Sequence, residues 1–173
     1  MERKGLIKFN NQDMTVVGAD LSVNQSAPAF TAQKMDWSNF AFPDEAKNKI
    51  KIIGSLPSFS TPVCDIETRR FNQEAAALGE NIVIIMVSMD LPFTLATWCA
   101  SAGVDKVITL SDHLKAEFGE KYGVLIKELR IFRRAIFVVD RDERITYVDY
   151  LPELGQEPKY DQVLEAAKRA LTK

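Results

Sequence analysis

The spacing of apolar residues predicts an α/β fold: a mixed central sheet flanked by helices, with an N-terminal β-hairpin. Three observations carry this prediction. From residue 50 onward, strand-like and helix-like stretches alternate. Residues 82–89 form an unbroken apolar run rich in β-branched side chains, the pattern of a strand covered on both faces. Residues 135–140 and 144–149 are strand-like runs joined by Arg141-Asp142-Glu143, short enough for a hairpin.

The elements follow in order. Leu6-Ile7-Lys8-Phe9 and Met14-Thr15-Val16-Val17 flank Asn10-Asn11-Gln12-Asp13, whose Asn and Asp residues favour a turn. Residues 1–20 therefore read as a hairpin. Residues 21–45 scatter Ser26, Pro28, Ser38 and Pro43 among short apolar pieces and read as loop with at most one short strand. Residues 50–56 alternate as a strand. Residues 62–78 place Val63, Ile66, Phe71, Ala75 and Leu78 near helical spacing. Residues 90–102 read as a helix, with Pro92 near its start and Gly103 near its end. Residues 107–110 form a short strand. Ser111 or Asp112 is placed to cap a helix over 113–121 that Gly123 ends. The chain closes with an amphipathic helix over 160–171, marked by Tyr160, Val163, Leu164, Ala167 and Leu171. The simplest arrangement of this order is a thioredoxin-like core, parallel in part and ending in an antiparallel hairpin.

At 173 residues the chain is the size of one domain, so 1–173 is read as a single unit. A formal charge of -2 argues against nucleic acid as a partner, because such binders carry a basic excess. No apolar run approaches the roughly 18 residues of a membrane span. The apolar stretch after Met1-Glu2-Arg3-Lys4 is too short for a secretory signal, so a cytoplasmic location is expected. In a reducing compartment a cysteine pair is usually catalytic or redox-sensing rather than a structural disulfide. This chain has two cysteines, Cys64 and Cys99.

Cys64 is the distinctive one. Thr61 is a natural N-cap, Pro62 fits the first helical position, and Cys64 falls in the first turn. There the free amides and the positive end of the helix dipole favour an anion, and the thiolate is the reactive form of cysteine. Asp65 and Glu67 oppose that effect from the same turn, so a cation is needed nearby. Arg69, Arg70, Arg133 and Arg134 are the candidates. The lone histidine, His113, reads as a surface residue at a helix start. Cys64, Cys99 and His113 match no usual zinc spacing, and neither a metal nor another cofactor is expected. Phe93 and Trp98 read as helix-face packing, or as the wall of an apolar substrate pocket. Asp90 and Asp149 read as strand-end residues.

The pattern Pro57-xxx-Thr61-xx-Cys64 resembles the PxxxTxxC signature of the peroxiredoxins. Further segments are similar to the thiol peroxidase branch of that family: Thr68-Arg69-Arg70-Phe71-Asn72, Ser88-Met89-Asp90-Leu91-Pro92-Phe93, Trp98-Cys99, Thr109-Leu110-Ser111-Asp112 and Arg134-Ala135. The likeness spans nearly the whole chain, hairpin included. One departure is Ser60, where members often carry an acidic residue before the Thr.

The resemblance implies an atypical two-cysteine peroxidase acting on hydrogen peroxide and alkyl hydroperoxides. It makes Cys64 the peroxidatic cysteine, oxidised to a sulfenic acid. Thr61 would bond the thiolate and the peroxide, Arg134 would stabilise both, and Pro57 would shape the pocket. Cys99 would resolve the sulfenic acid as an intramolecular disulfide, and thioredoxin would restore both thiols. A homodimer with a face near the active-site helix is also implied. The choice of Arg134 over its neighbour Arg133 rests on the resemblance alone. If both cysteines lie in helices, at least one segment must move to bring them together, since bridged Cα atoms sit about 4.4–6.8 Å apart. Mobility is therefore expected around 92–102 and 61–66. The alternatives on the same fold are a thiol–disulfide oxidoreductase or redox sensor, which usually carries a C-x-x-C absent here, and a non-catalytic interaction protein.

Overall fold

The computed structural model describes residues 1–172. In chain order its elements are β1 (Glu2–Phe9), β2 (Gln12–Val17), β3 (Phe30–Gln33), β4 (Asn39–Phe42), β5 (Ile50–Ser55), α1 (Pro62–Leu78), β6 (Ile82–Ser88) and α2 (Pro92–Ala102). Then come β7 (Ile108–Ser111), α3 (Glu117–Lys121), β8 (Leu125–Ile126), β9 (Ile131–Phe132), β10 (Ala135–Val139), β11 (Ile145–Tyr150) and α4 (Tyr160–Leu171).

Seven strands make the central sheet in the order β11-β10-β5-β6-β7-β3-β4. β5, β6 and β7 run parallel, and β10 pairs antiparallel with both β5 and β11. All six residues of β5 are buried, as a strand covered on both faces must be. One face carries α1, α2 and α4. There Ile52, Ile84 and Ile136 meet Phe71, Leu95 and Val163 in one apolar cluster. The opposite face carries α3, whose Phe118 packs with Ile53, Ile85 and Phe137 in a second cluster. α4 keeps its predicted bounds and buries Val163, Leu164, Ala166, Ala167 and Ala170, while Lys168 and Arg169 sit in its last turn, where the helix dipole favours cations.

Two local expectations give way. The segment 21–45 holds two paired strands, β3 and β4, rather than one at most. Their Phe30, Phe40 and Phe42 are nearly fully buried, so packing against the sheet edge overrides the turn-rich composition. The helix expected over 113–121 forms only from Glu117, after Ala116 takes a left-handed conformation at φ 53. Asp112 still acts at its start, accepting a hydrogen bond from the Gly119 amide at 2.9 Å.

The hairpin β1-β2 is present but does not stand alone. It continues through β8 and β9 into a four-stranded sheet that periodicity did not reveal, because two-residue strands carry no period. Gly18 and Gly123 fasten this sheet to the core. Both have positive φ, and a Cβ on Gly18 would strike the Glu120 carbonyl while one on Gly123 would strike that of Ala19. Only glycine tolerates both conditions.

Candidate active site

The site is built where β5 ends and α1 begins. β5 carries the chain to the centre of the sheet, and residues 57–61 turn it into the helix. Pro57 is buried in this turn. Asp90, just past β6, holds the turn in place. Its carboxylate accepts hydrogen bonds from the Ser58 hydroxyl at 2.7 Å, the Phe59 amide at 2.9 Å and the Ser88 hydroxyl at 2.7 Å. Sequence alone gave Asp90 no task. The signal was Ser88 two residues before it, a spacing at which a serine hydroxyl and an aspartate bond locally.

Thr61 is the N-cap of α1 in an extended conformation, with Pro62 as the first helical residue. Its hydroxyl, however, makes no capping bond and donates back to the Ser58 carbonyl at 2.9 Å. The first-turn amides of α1, which no intrahelical carbonyl can reach, therefore lack that side-chain partner. Cys64 lies in this turn, fully buried among Leu56, Phe59 and Leu95.

The cation is Arg134. Its Nη2 donates to Cys64 Sγ at 3.1 Å and to the Leu154 carbonyl at 3.1 Å, while its Nη1 bonds the Glu67 carboxylate. Arg134, Glu67 and Cys64 are all essentially inaccessible to solvent. The other arginines are committed elsewhere. Arg69 pairs with Asp65, Arg70 with Glu74, and Arg133 with Asp20. The choice between Arg133 and Arg134 is decided by their partners: Arg133 bonds Asp20 and the Gly123 carbonyl, and Arg134 meets Cys64. Glu67, read from sequence as opposing an anionic sulfur, instead holds the arginine that favours it. The signal was the three-residue spacing from Cys64 to Glu67, which places both on one helix face.

Cys99 sits in the last turns of α2, buried, with Sγ 3.4 Å from the Thr109 hydroxyl. Among the described residues no cation bonds it, and burial pushes its thiol up from the usual range. Both cysteines are free thiols. The two helices are laced together beside them. The Trp98 indole N–H donates to Asp65 Oδ1 at 3.0 Å, and Arg69 Nε donates to Asp65 Oδ2 at 2.9 Å. Arg69 Nη1 also reaches the Ala102 carbonyl at 2.9 Å. The Trp98 ring packs 5.1 Å from Phe59. Trp98, Phe93, Thr94, Thr97, Ser101 and Ser60 line an open cleft of about 400 Å³ over the start of α1. Phe93 is 67% exposed, so it forms cleft wall rather than core. His113 is half-buried, with Nδ1 2.9 Å from the Ser111 hydroxyl, away from both cysteines' contacts.

A buried thiol held by a guanidinium at a helix N-terminus, on a sheet of this topology, defines a redoxin. The Redoxin family model matches residues 22–164 of the chain. Thiol peroxidase from Oceanobacillus iheyensis is 51% identical over 158 residues, covering 91% of this chain and 95% of the relative. Thiol peroxidase from Bacillus subtilis is 44% identical over 162 residues, covering 94% and 96%. A crystal structure of a peroxiredoxin-like protein from Aquifex aeolicus superposes with a TM-score of 0.87 at 34% identity, covering 97% of each chain. The chain belongs to the thiol peroxidases within the redoxin family.

Proposed function

We propose that the protein reduces hydrogen peroxide and alkyl hydroperoxides through Cys64. The observation that carries this reading is the asymmetry between the two thiols: Arg134 donates to Cys64 Sγ, whereas Cys99 faces only a neutral hydroxyl. The Cys64 thiolate attacks one peroxide oxygen, the O–O bond breaks, and the alkoxide or hydroxide leaves with a proton as alcohol or water. Cys64 is then a sulfenic acid. Arg134 is aimed at the sulfur and at the oxygens that gain charge, a pre-organised electrostatic role. Pro57 and the turn fastened by Asp90 shape the approach. Thr61 stands beside the sulfur's helix turn, and rotating its hydroxyl away from Ser58 would free it to bond the peroxide.

Cys99 then attacks the sulfenic sulfur, forming the Cys64–Cys99 disulfide and releasing water. A dithiol reductant of the thioredoxin class returns both cysteines to thiols. A reducing cytoplasm is the compartment this cycle needs, and among the described residues no helix is long and apolar enough to cross a membrane. A homodimer is also part of this reading. Trp37 and Phe93 are exposed and meet edge to face with ring centroids 4.8 Å apart, and Leu91 and Leu114 are exposed as well. Such a patch beside the cleft suits a second copy.

The test is the thiol count and mass of the reduced protein after one equivalent of hydrogen peroxide. Rapid loss of two thiols in the parent, and a trapped sulfenic acid in Cys99→Ser, are the expected results. Oxidation no faster than a free cysteine would sink the peroxidase reading and leave a thiol-exchange protein.

The helix lacing sets a second expectation. Both cysteines sit in intact helices, and in this reading α2 is the segment that opens for the disulfide to form. Asp65→Ala removes the Trp98 bond, which holds α2 by about 0.5–1.5 kcal/mol, along with the Arg69 bond that lies within α1. It is expected to speed disulfide formation by several-fold and to weaken hydrogen-exchange protection in α2. Equal protection and equal rate in the two proteins would mean that the lacing does not restrain the step.

A further inference from the structure

We propose that the N-terminal four-stranded sheet positions the reactive centre, and that Leu154 is the positioning residue through which it acts. This rests on the reading of Cys64 as the attacking thiol. Arg134 is held on two sides by α1, through Glu67 and through Cys64 itself. Its remaining side-chain hydrogen bond among the described residues is to the Leu154 carbonyl, which shares Nη2 with the sulfur. Leu154 belongs to no strand or helix. It lies in the connection between β11 and α4, whose start is tied by the Leu151 amide to the Arg134 carbonyl at 3.0 Å.

Between the buried Leu151 and Pro158, the connection is also anchored by the Leu154 side chain. This partly buried side chain packs against the apolar cluster of Ile7, Met14 and Val16 of the hairpin and Ile126 of β8. Ile7, Val16 and Ile126 are almost wholly buried there. The hairpin thus fixes a side chain whose backbone carbonyl fixes the guanidinium. A carbonyl accepting one Nη2 hydrogen directs the other toward the sulfur, and a shift of a fraction of an ångström in that donor weakens its effect on developing charge. The hairpin's task is then to aim Arg134, at a site that none of its own side chains touches.

Four variants test this: Leu154→Ala, Ile7→Ala, Leu154→Met, and Phe40→Leu as a core truncation at the far sheet edge. Two quantities are measured in each, alongside thermal stability. One is the rate of Cys64 oxidation by hydrogen peroxide. The other is the nitrogen-15 NMR signal of the Arg134 guanidinium in the reduced protein. Leu154→Ala and Ile7→Ala are expected to slow oxidation by about three- to ten-fold and to let the guanidinium rotate freely. Leu154→Met, which keeps apolar volume, restores both, and Phe40→Leu leaves both unchanged. An unchanged guanidinium signal and rate in Leu154→Ala would overturn the proposal. So would equal slowing by Phe40→Leu at the same loss of stability. If the parent itself reacts no faster than a free thiol, the peroxidase reading fails, and the guanidinium signal still decides whether the hairpin aims Arg134.

Discussion

Cys64→Ser is expected to abolish peroxide-dependent thiol loss, and Arg134→Gln to slow it by about 10²–10³-fold, the usual consequence of losing a pre-organised charge-stabilising donor. Serine keeps the shape of the site but offers no thiolate. Glutamine keeps a donor but no charge. Arg134→Gln alone carries a complication, because it strands the Glu67 carboxylate without its cation in a fully buried position. Breaking one side of a buried ion pair typically costs about 3–5 kcal/mol of stability. The double variant Glu67→Gln/Arg134→Gln separates the two effects. It should regain most of the lost stability and none of the lost rate. A double variant that recovers rate along with stability would show that Arg134 serves the fold rather than the reaction.

The second large effect concerns Asp112. It is buried, its Oδ2 accepts from the Gly119 amide, and its Oδ1 has no partner among the described residues. Burial, opposed by the backbone amides at the start of α3, pushes its carboxyl up to about 6. In the unfolded chain an aspartate titrates near ~3.9. The folded state therefore holds the proton more tightly. The resulting stability is fully present below the unfolded value and is lost as pH rises through about 6. That difference between folded and unfolded chain is worth at most about 3 kcal/mol. Asp112→Asn keeps an oxygen for Gly119 and removes the charge. It should fall below the parent near about pH 4 by the cost of burying a new amide, and gain on it as pH rises to about 8, by up to that ceiling. Urea unfolding of both proteins across this range checks it. Parallel stability curves would mean that Asp112 does not titrate differently on folding.

The helices and long strands of the central sheet were legible because each spans enough residues to show its period. α4 and β6 are clear cases. β3 and β4 were not, because four residues interrupted by turn chemistry show no period, and three phenylalanines became strand core only through the sheet they join. β8 and β9 exist solely as partners of the hairpin and of each other.

At the site, the helix start and the placement of Cys64 in its first turn followed from Thr61, Pro62 and Cys64 themselves. Position in a first turn is a local property, set by the immediate neighbours in the chain. The sign of Glu67's influence could not be read locally. A carboxylate one turn from a thiolate repels it, unless a cation 67 residues further along the chain, just ahead of β10, bonds both. Asp90 is a similar case, idle in sequence and the anchor of the active-site turn in space.

By itself, then, the sequence determined the α/β class, the hairpin, the reactive-cysteine helix and the family to which its motifs belong. These rest on periodicity and on short spacings, which the chain carries wherever it folds. Only the tertiary structure decided which arginine meets the sulfur, that Glu67 supports rather than opposes it, and that Leu154 links the hairpin to the site. Those are contacts between distant segments. Their energies depend on burial and on distances of about 3 Å, and both come into being only when the sheets and helices pack.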